Sequence, residues 1–196
     1  GTDALFEQVT DPRLVRNQPA TVSSTITPVN DAPFGTTERQ VINEDNDGTP
    51  FVFSASSFGF SDPVDAPASN ALLEVIIVTL PPVAEGVLRL GAANVTAGQA
   101  IPVALIPSLT FTPAANSNGL NLGSFTFRVR DNGGVAIGGI DNSAVANTFA
   151  FDITAVNDAP VFISLNPTIN LSEDPGAQSL SNFITGIATG PASAID

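Results

Sequence analysis

The chain runs to 196 residues and sets 19 Asp and Glu against six arginines, a formal net charge of −13 at pH 7. It contains no Cys, His, Lys, Tyr, Trp or Met, which excludes disulfides, thiolate metal centres and lysine-based isopeptide cross-links and removes most general acid–base and nucleophilic groups. An enzyme is therefore not expected, and the negative field argues against nucleic acid and anionic lipid as partners.

The acidic balance has two readings. It attracts hard divalent cations, and oxygen is the only ligand on offer, which favours calcium or magnesium over zinc, copper or iron. It also simply keeps an extracellular protein soluble. No stretch approaches the roughly 18 consecutive apolar residues of a membrane span, so no membrane insertion is expected. Gly1 does not open a basic start and apolar run, so no signal peptide is read there.

In chain order, residues 1–17 give no clear pattern, and residues 20–33 read as the last strand of a module. Phe51 and Phe53, Leu73 to Leu80, Val87 to Leu90, Ile101 to Ile106 and Leu109 to Phe111 supply short strands. Phe125, Phe127 and Val129 then alternate with Thr126, Arg128 and Arg130, and Phe149, Phe151 and Ile153 alternate with Ala150, Asp152 and Thr154. That period of two puts apolar groups on one face, and the phenylalanines read as core. Pro81-Pro82, Pro113, Asn118-Gly119 and Asn132-Gly133-Gly134 punctuate the strands as turns. About seven short strands at this spacing predict an all-β, antiparallel Greek-key sandwich.

An internal repeat sets the domain organisation. Val29-Asn30-Asp31-Ala32-Pro33 recurs unchanged as Val156-Asn157-Asp158-Ala159-Pro160, and Ile42-Asn43-Glu44-Asp45 is echoed by Leu171-Ser172-Glu173-Asp174. Residues 34–160 are expected to form one complete module. Residues 1–33 then read as the C-terminal part of a preceding repeat, and 161–196 as the N-terminal part of a following one.

The run from Ser124 to Gly134, followed by Thr148 to Thr154 and Val156 to Pro160, resembles the last two strands of the cadherin-like, immunoglobulin-like tandem repeats of large bacterial surface proteins and adhesins. Leu109 to Asn116, Asn43-Glu44-Asp45 and Asp62-Pro63-Val64-Asp65 resemble the same family. The resemblance covers nearly all of 34–160. It implies calcium between successive modules, with Asn30 and Asp31 as linker ligands at the first junction together with Asp62, Asp65 and Asp131. At the second junction Asn157 and Asp158 take the linker role, and Glu44 reaches down from the first strand of its own module. The linker is shorter in acid than a cadherin's and a second acidic pair between Leu88 and Ala115 is missing, which implies fewer or weaker sites. For each residue a plainer role stands beside the ligand role: Asp131 before Asn-Gly-Gly and Asp62 before Pro63 suit turns, and Glu44 suits a solvated strand end.

Three functions follow. The first is a secreted, cell-surface stalk or spacer whose junctions calcium stiffens, with neighbouring repeats of the same chain as its partners. The second is a subunit of an extracellular filament whose ends pair with neighbouring copies by strand donation. The third is a module that binds glycans or protein, disfavoured by the lack of Trp and Tyr. The adhesion partner of the whole protein is not legible.

Overall fold

Alternation of apolar and polar residues is what makes this chain a set of strands. The structure is a computed structural model that describes residues 2–7, 20–44, 49–65, 69–164, 170–174, 176–179, 181 and 184–188. Asp45 of the Asn43-Glu44-Asp45 motif and positions 8–17 of the unread N-terminal stretch lie outside the described residues. The fold is all-β, with only one- and two-turn 3-10 helices among the described residues. No helix among them is long and apolar enough to cross a membrane.

The first strands are β1 (Thr2–Glu7) and β2 (Ala20–Thr25), an antiparallel pair. After the linker come β3 (Glu38–Asn43), β4 (Phe51–Val52), β5 (Leu72–Thr79), β6 (Gly86–Leu90), β7 (Ala93–Asn94), β8 (Ala100–Pro102), β9 (Leu109–Pro113), β10 (Gly119–Asp131) and β11 (Asn147–Thr154). A second antiparallel pair, β12 (Val161–Ser164) and β13 (Ile184–Ala188), follows.

Between the two pairs lie a five-stranded sheet, β3-β11-β10-β5-β8, and a four-stranded sheet, β4-β9-β6-β7. All pairings in them are antiparallel except β3 with β11, which run parallel from Phe149 opposite Glu38 to Thr154 opposite Asn43. The expected strand over 101–106 is shorter than the apolar run. It ends at Pro102, and Val103–Ser108 winds into a 3-10 helix that contains Pro107 and buries Ile106. Pro102 itself fixes the turn, because its ring locks φ and it has no N–H for the ladder.

The two sheets share one core. Phe111 of β9 stacks on Phe151 of β11 with ring centroids 4.2 Å apart, Phe53 meets Phe149 edge-on at 5.0 Å, and Phe58 meets Phe127 at 4.9 Å. Burying each such ring contributes on the order of 1.5–3 kcal/mol, which lets a disulfide-free chain hold its shape. Gly123, in the left-handed region at φ 57°, makes room for the Phe111 ring, which a Cβ there would strike. Not every phenylalanine is core: Phe34 and Phe162 are exposed, the first in the linker and the second on β12, outside the two larger sheets.

Along β10 the alternation does one thing that decides the rest. Phe125, Phe127 and Val129 point inward, and the same parity carries Asp131, 1% exposed, inward at the strand's end. A carboxylate thus sits where the pattern calls for an apolar side chain.

Candidate cation site

At the end of β10 the linker before β3 crosses the module, and Asn30 is the residue it inserts. The Asn30 carboxamide nitrogen donates to Asp131 Oδ1 at 3.1 Å and to the Ile140 carbonyl at 2.9 Å. Its backbone carbonyl accepts from Ile140 N–H at 2.9 Å, and its Oδ1 accepts from Asn70 Nδ2. Asn70 also donates from Nδ2 to Asp65 Oδ2 at 3.0 Å and from its backbone to Asp62 Oδ2 at 2.8 Å. Asp31 gives its backbone N–H to Asp65 Oδ2 at 3.1 Å, while its own side chain is exposed.

The structure therefore brings Asn30, Asp31, Asp62, Asp65 and Asp131 together at one end of the module, linked through Asn70. Sequence reasoning missed Asn70 and the Ile140 backbone. Both are joined to Asn30 by long-range contacts that carry no local signature. Asp131 did carry one, its inward parity on β10.

Asp62 and Asp131 are the chemically unusual members. Asp62 is 5% exposed, and its Oδ1, like Asp131 Oδ2, is buried with no hydrogen-bond partner. An unpaired buried polar atom is costly, and a buried charge more so. Burial accordingly raises the pKa of Asp131, the negative fields of Asp62 and Asp141 add to the rise, and the Gly133 N–H and the Asn30 amide oppose it. Gly133 N donates to Asp131 Oδ1 at 2.8 Å, which is the turn role expected of Asp131. Arg130, the adjacent cation, is turned to Glu74 at 2.5 Å and to Asp141 at 3.8 Å instead.

An open cleft of about 210 Å³, lined by Val29, Asn30, Asp65, Asn70 and Gly133 among others, leads to this end. Among the described residues no three His, Cys, Asp or Glu side chains are gathered into a metal-holding group. Any cation here must draw on amide and backbone oxygens beside the two buried carboxylates.

Glu44 lies elsewhere. It is 3% exposed at the end of β3, so it is not the solvated strand-end charge its position suggests. Its Oε1 accepts from Val156 N–H at 2.8 Å and its Oε2 from the Asn118 amide at 2.9 Å. It staples the chain leaving β11, one residue before Asn157. Asn157 is exposed and Asp158 half-buried, and neither belongs to the cluster around Asn30. Compared with known protein families, curated proteins and solved structures, the chain finds no match in any of the three.

Proposed function

We propose that this chain is an extracellular structural repeat, a cadherin-like Greek-key sandwich spanning about 34–160 with parts of neighbouring repeats on either side. It serves as a stalk or spacer of a large surface or adhesin-like protein, and a calcium ion at the linker end stiffens its junction. The observation that carries this reading is the pair of buried carboxylates, Asp62 and Asp131, each with an unpaired oxygen, Asp131 bonded to the inserted linker residue Asn30 directly and Asp62 joined to it through Asn70. A hard cation would compensate buried carboxylate oxygens of this kind, and its usual ligands include amide and backbone oxygens as well as carboxylates. Asp62 and Asp131 would hold it, with Asn30, Asp65 and Asp31 as the neighbouring oxygen donors. The ion would supply the positive charge that Arg130 does not, and would tie linker to module.

A metal-free melt, repeated in millimolar calcium and then magnesium, tests this. One site at a hundred times its dissociation constant adds about 2.7 kcal/mol, a shift of several degrees. A rise specific to calcium supports the reading, and an unchanged melt removes calcium from it.

A second reading, a filament subunit completed by neighbouring copies, is favoured by one observation. Val161, Phe162 and Ile163 of β12 are 58–62% exposed in a two-stranded sheet, and such pairs are marginal without a covering layer. A chain that stays monomeric at high concentration counts against it.

A further inference from the structure

The five residues from Val29 to Pro33 recur from Val156 to Pro160, and the contacts of the first copy say what the motif does. Asn30 uses its carbonyl and both ends of its carboxamide on Ile140, Asp131 and Asn70. Asp31 gives its N–H to Asp65, and Pro33 is buried. Phe34 exchanges two backbone hydrogen bonds with Ser61, at 2.8 and 2.9 Å. Each of these partners lies downstream of the linker.

The receiving pocket is shaped for this side chain. A Cβ on Gly133 would collide with the Asn30 carboxamide, and one on Gly139 would lie 3.1 Å from Asn30 Cβ and 2.8 Å from the Gly134 carbonyl. Two glycines make the room. The pocket offers a carboxylate and a carbonyl to one nitrogen and an amide N–H to the oxygen, so it accepts a primary amide. A carboxylate of the same size would face Asp131 with no proton to give.

We propose that this pocket is a recognition site for an Asn-Asp-Ala-Pro segment, so that the motif belongs to the repeat after it, and Asn157 is the ligand of the equivalent pocket in a following repeat. Asn157 is exposed and its side chain makes no hydrogen bond among the described residues. The origin of that second pocket rests on the tandem-array reading, whereas the recognition itself needs neither the array nor a cation. The peptide unit at position 156 is held by Glu44 of the module before it. The handover from one repeat to the next therefore falls between Val156 and Asn157.

The test uses the whole chain carrying Asn30→Ala, which empties the pocket, and a free peptide copied from Ala155 to Phe162. The amide resonances of Ile140 and Gly133 should move on titration, and the same peptide with Asn157→Asp should bind at least about tenfold more weakly. Equal responses to the two peptides, or none to either, overturn the proposal. Should the variant fail to fold, selective recovery of folding by the Asn peptide is the same readout, and its failure the same refutation. Sedimentation of the unmodified chain separates the sources. A monomer supports the tandem placement, while self-association abolished by Asn157→Ala assigns the ligand to a second copy and overturns it. A calcium-insensitive melt alongside intact peptide recognition would count against the cation reading alone.

Discussion

Glu44 and Asp131 are both carboxylates buried at strand ends, yet they have opposite characters. Glu44 has a donor on each oxygen, Val156 N–H on one and the Asn118 amide on the other. Asp131 has both of its hydrogen bonds on Oδ1, from Asn30 and Gly133, and none on Oδ2. Burial and acidity alone therefore do not mark a cation ligand. What sets Asp131 apart is the oxygen left without a donor, and that difference separates a staple at one end of the module from a candidate site at the other.

The largest effect should come from Glu44→Ala. It strips two half-buried donors of a charged acceptor, a loss of about 3 kcal/mol given roughly 1.5–3 kcal/mol per such bond. Denaturant midpoints should fall equally with and without calcium. A loss confined to calcium-loaded protein would make Glu44 a ligand and erase the contrast. Next in size, the calcium-induced gain of about 2.7 kcal/mol should vanish in Asp62→Asn and in Asp131→Asn, and should survive in Glu44→Gln. Melts of the three variants with and without calcium decide this.

The pH response sharpens the comparison further. Asp131 has a folded pKa raised above its unfolded value, so its contribution to stability is complete below the unfolded value and is lost as pH rises through the folded one. In metal-free buffer the wild type should therefore lose stability relative to Asp131→Asn as pH climbs from acid to neutral, and calcium should close that gap. Parallel pH profiles for the two proteins would contradict the burial of an uncompensated carboxylate. The smallest effect belongs to Asp31→Ala, under about 0.5 kcal/mol in metal-free buffer, since only the Asp31 backbone is engaged. A larger loss in its thermal melt would show that its exposed side chain has a partner.

Much of this was legible because β10 keeps a strict period of two and β11 nearly does: Phe125, Phe127, Val129, Phe149, Phe151 and Ile153 are buried as the alternation requires, and the one departure is Ala150, expected on the opposite face but buried as well. The clustering of Asn30, Asp31, Asp62, Asp65 and Asp131 was legible only through the repeat and the family resemblance. Three features lay beyond reach. The parallel pairing of β3 with β11 joins segments more than a hundred residues apart, and nothing local distinguishes it from an antiparallel edge. The 3-10 turn over Val103–Ser108 has the same apolar composition as a strand. Asn70 and Ile140 meet Asn30 across 40 and 110 positions, and Ile140 does so by its backbone, which side-chain chemistry does not reveal.

The grip of Glu44 on Val156 has a mechanical corollary. With Asn157 docked as Asn30 is, neighbouring peptide units belong to different repeats, and no residue between the grips is left to uncoil. A string of such units would lengthen under tension only by breaking a hydrogen bond or opening a sheet. It would behave as a jointed rod rather than as beads on a thread, and its first point of yield would be a carboxylate holding a single backbone N–H.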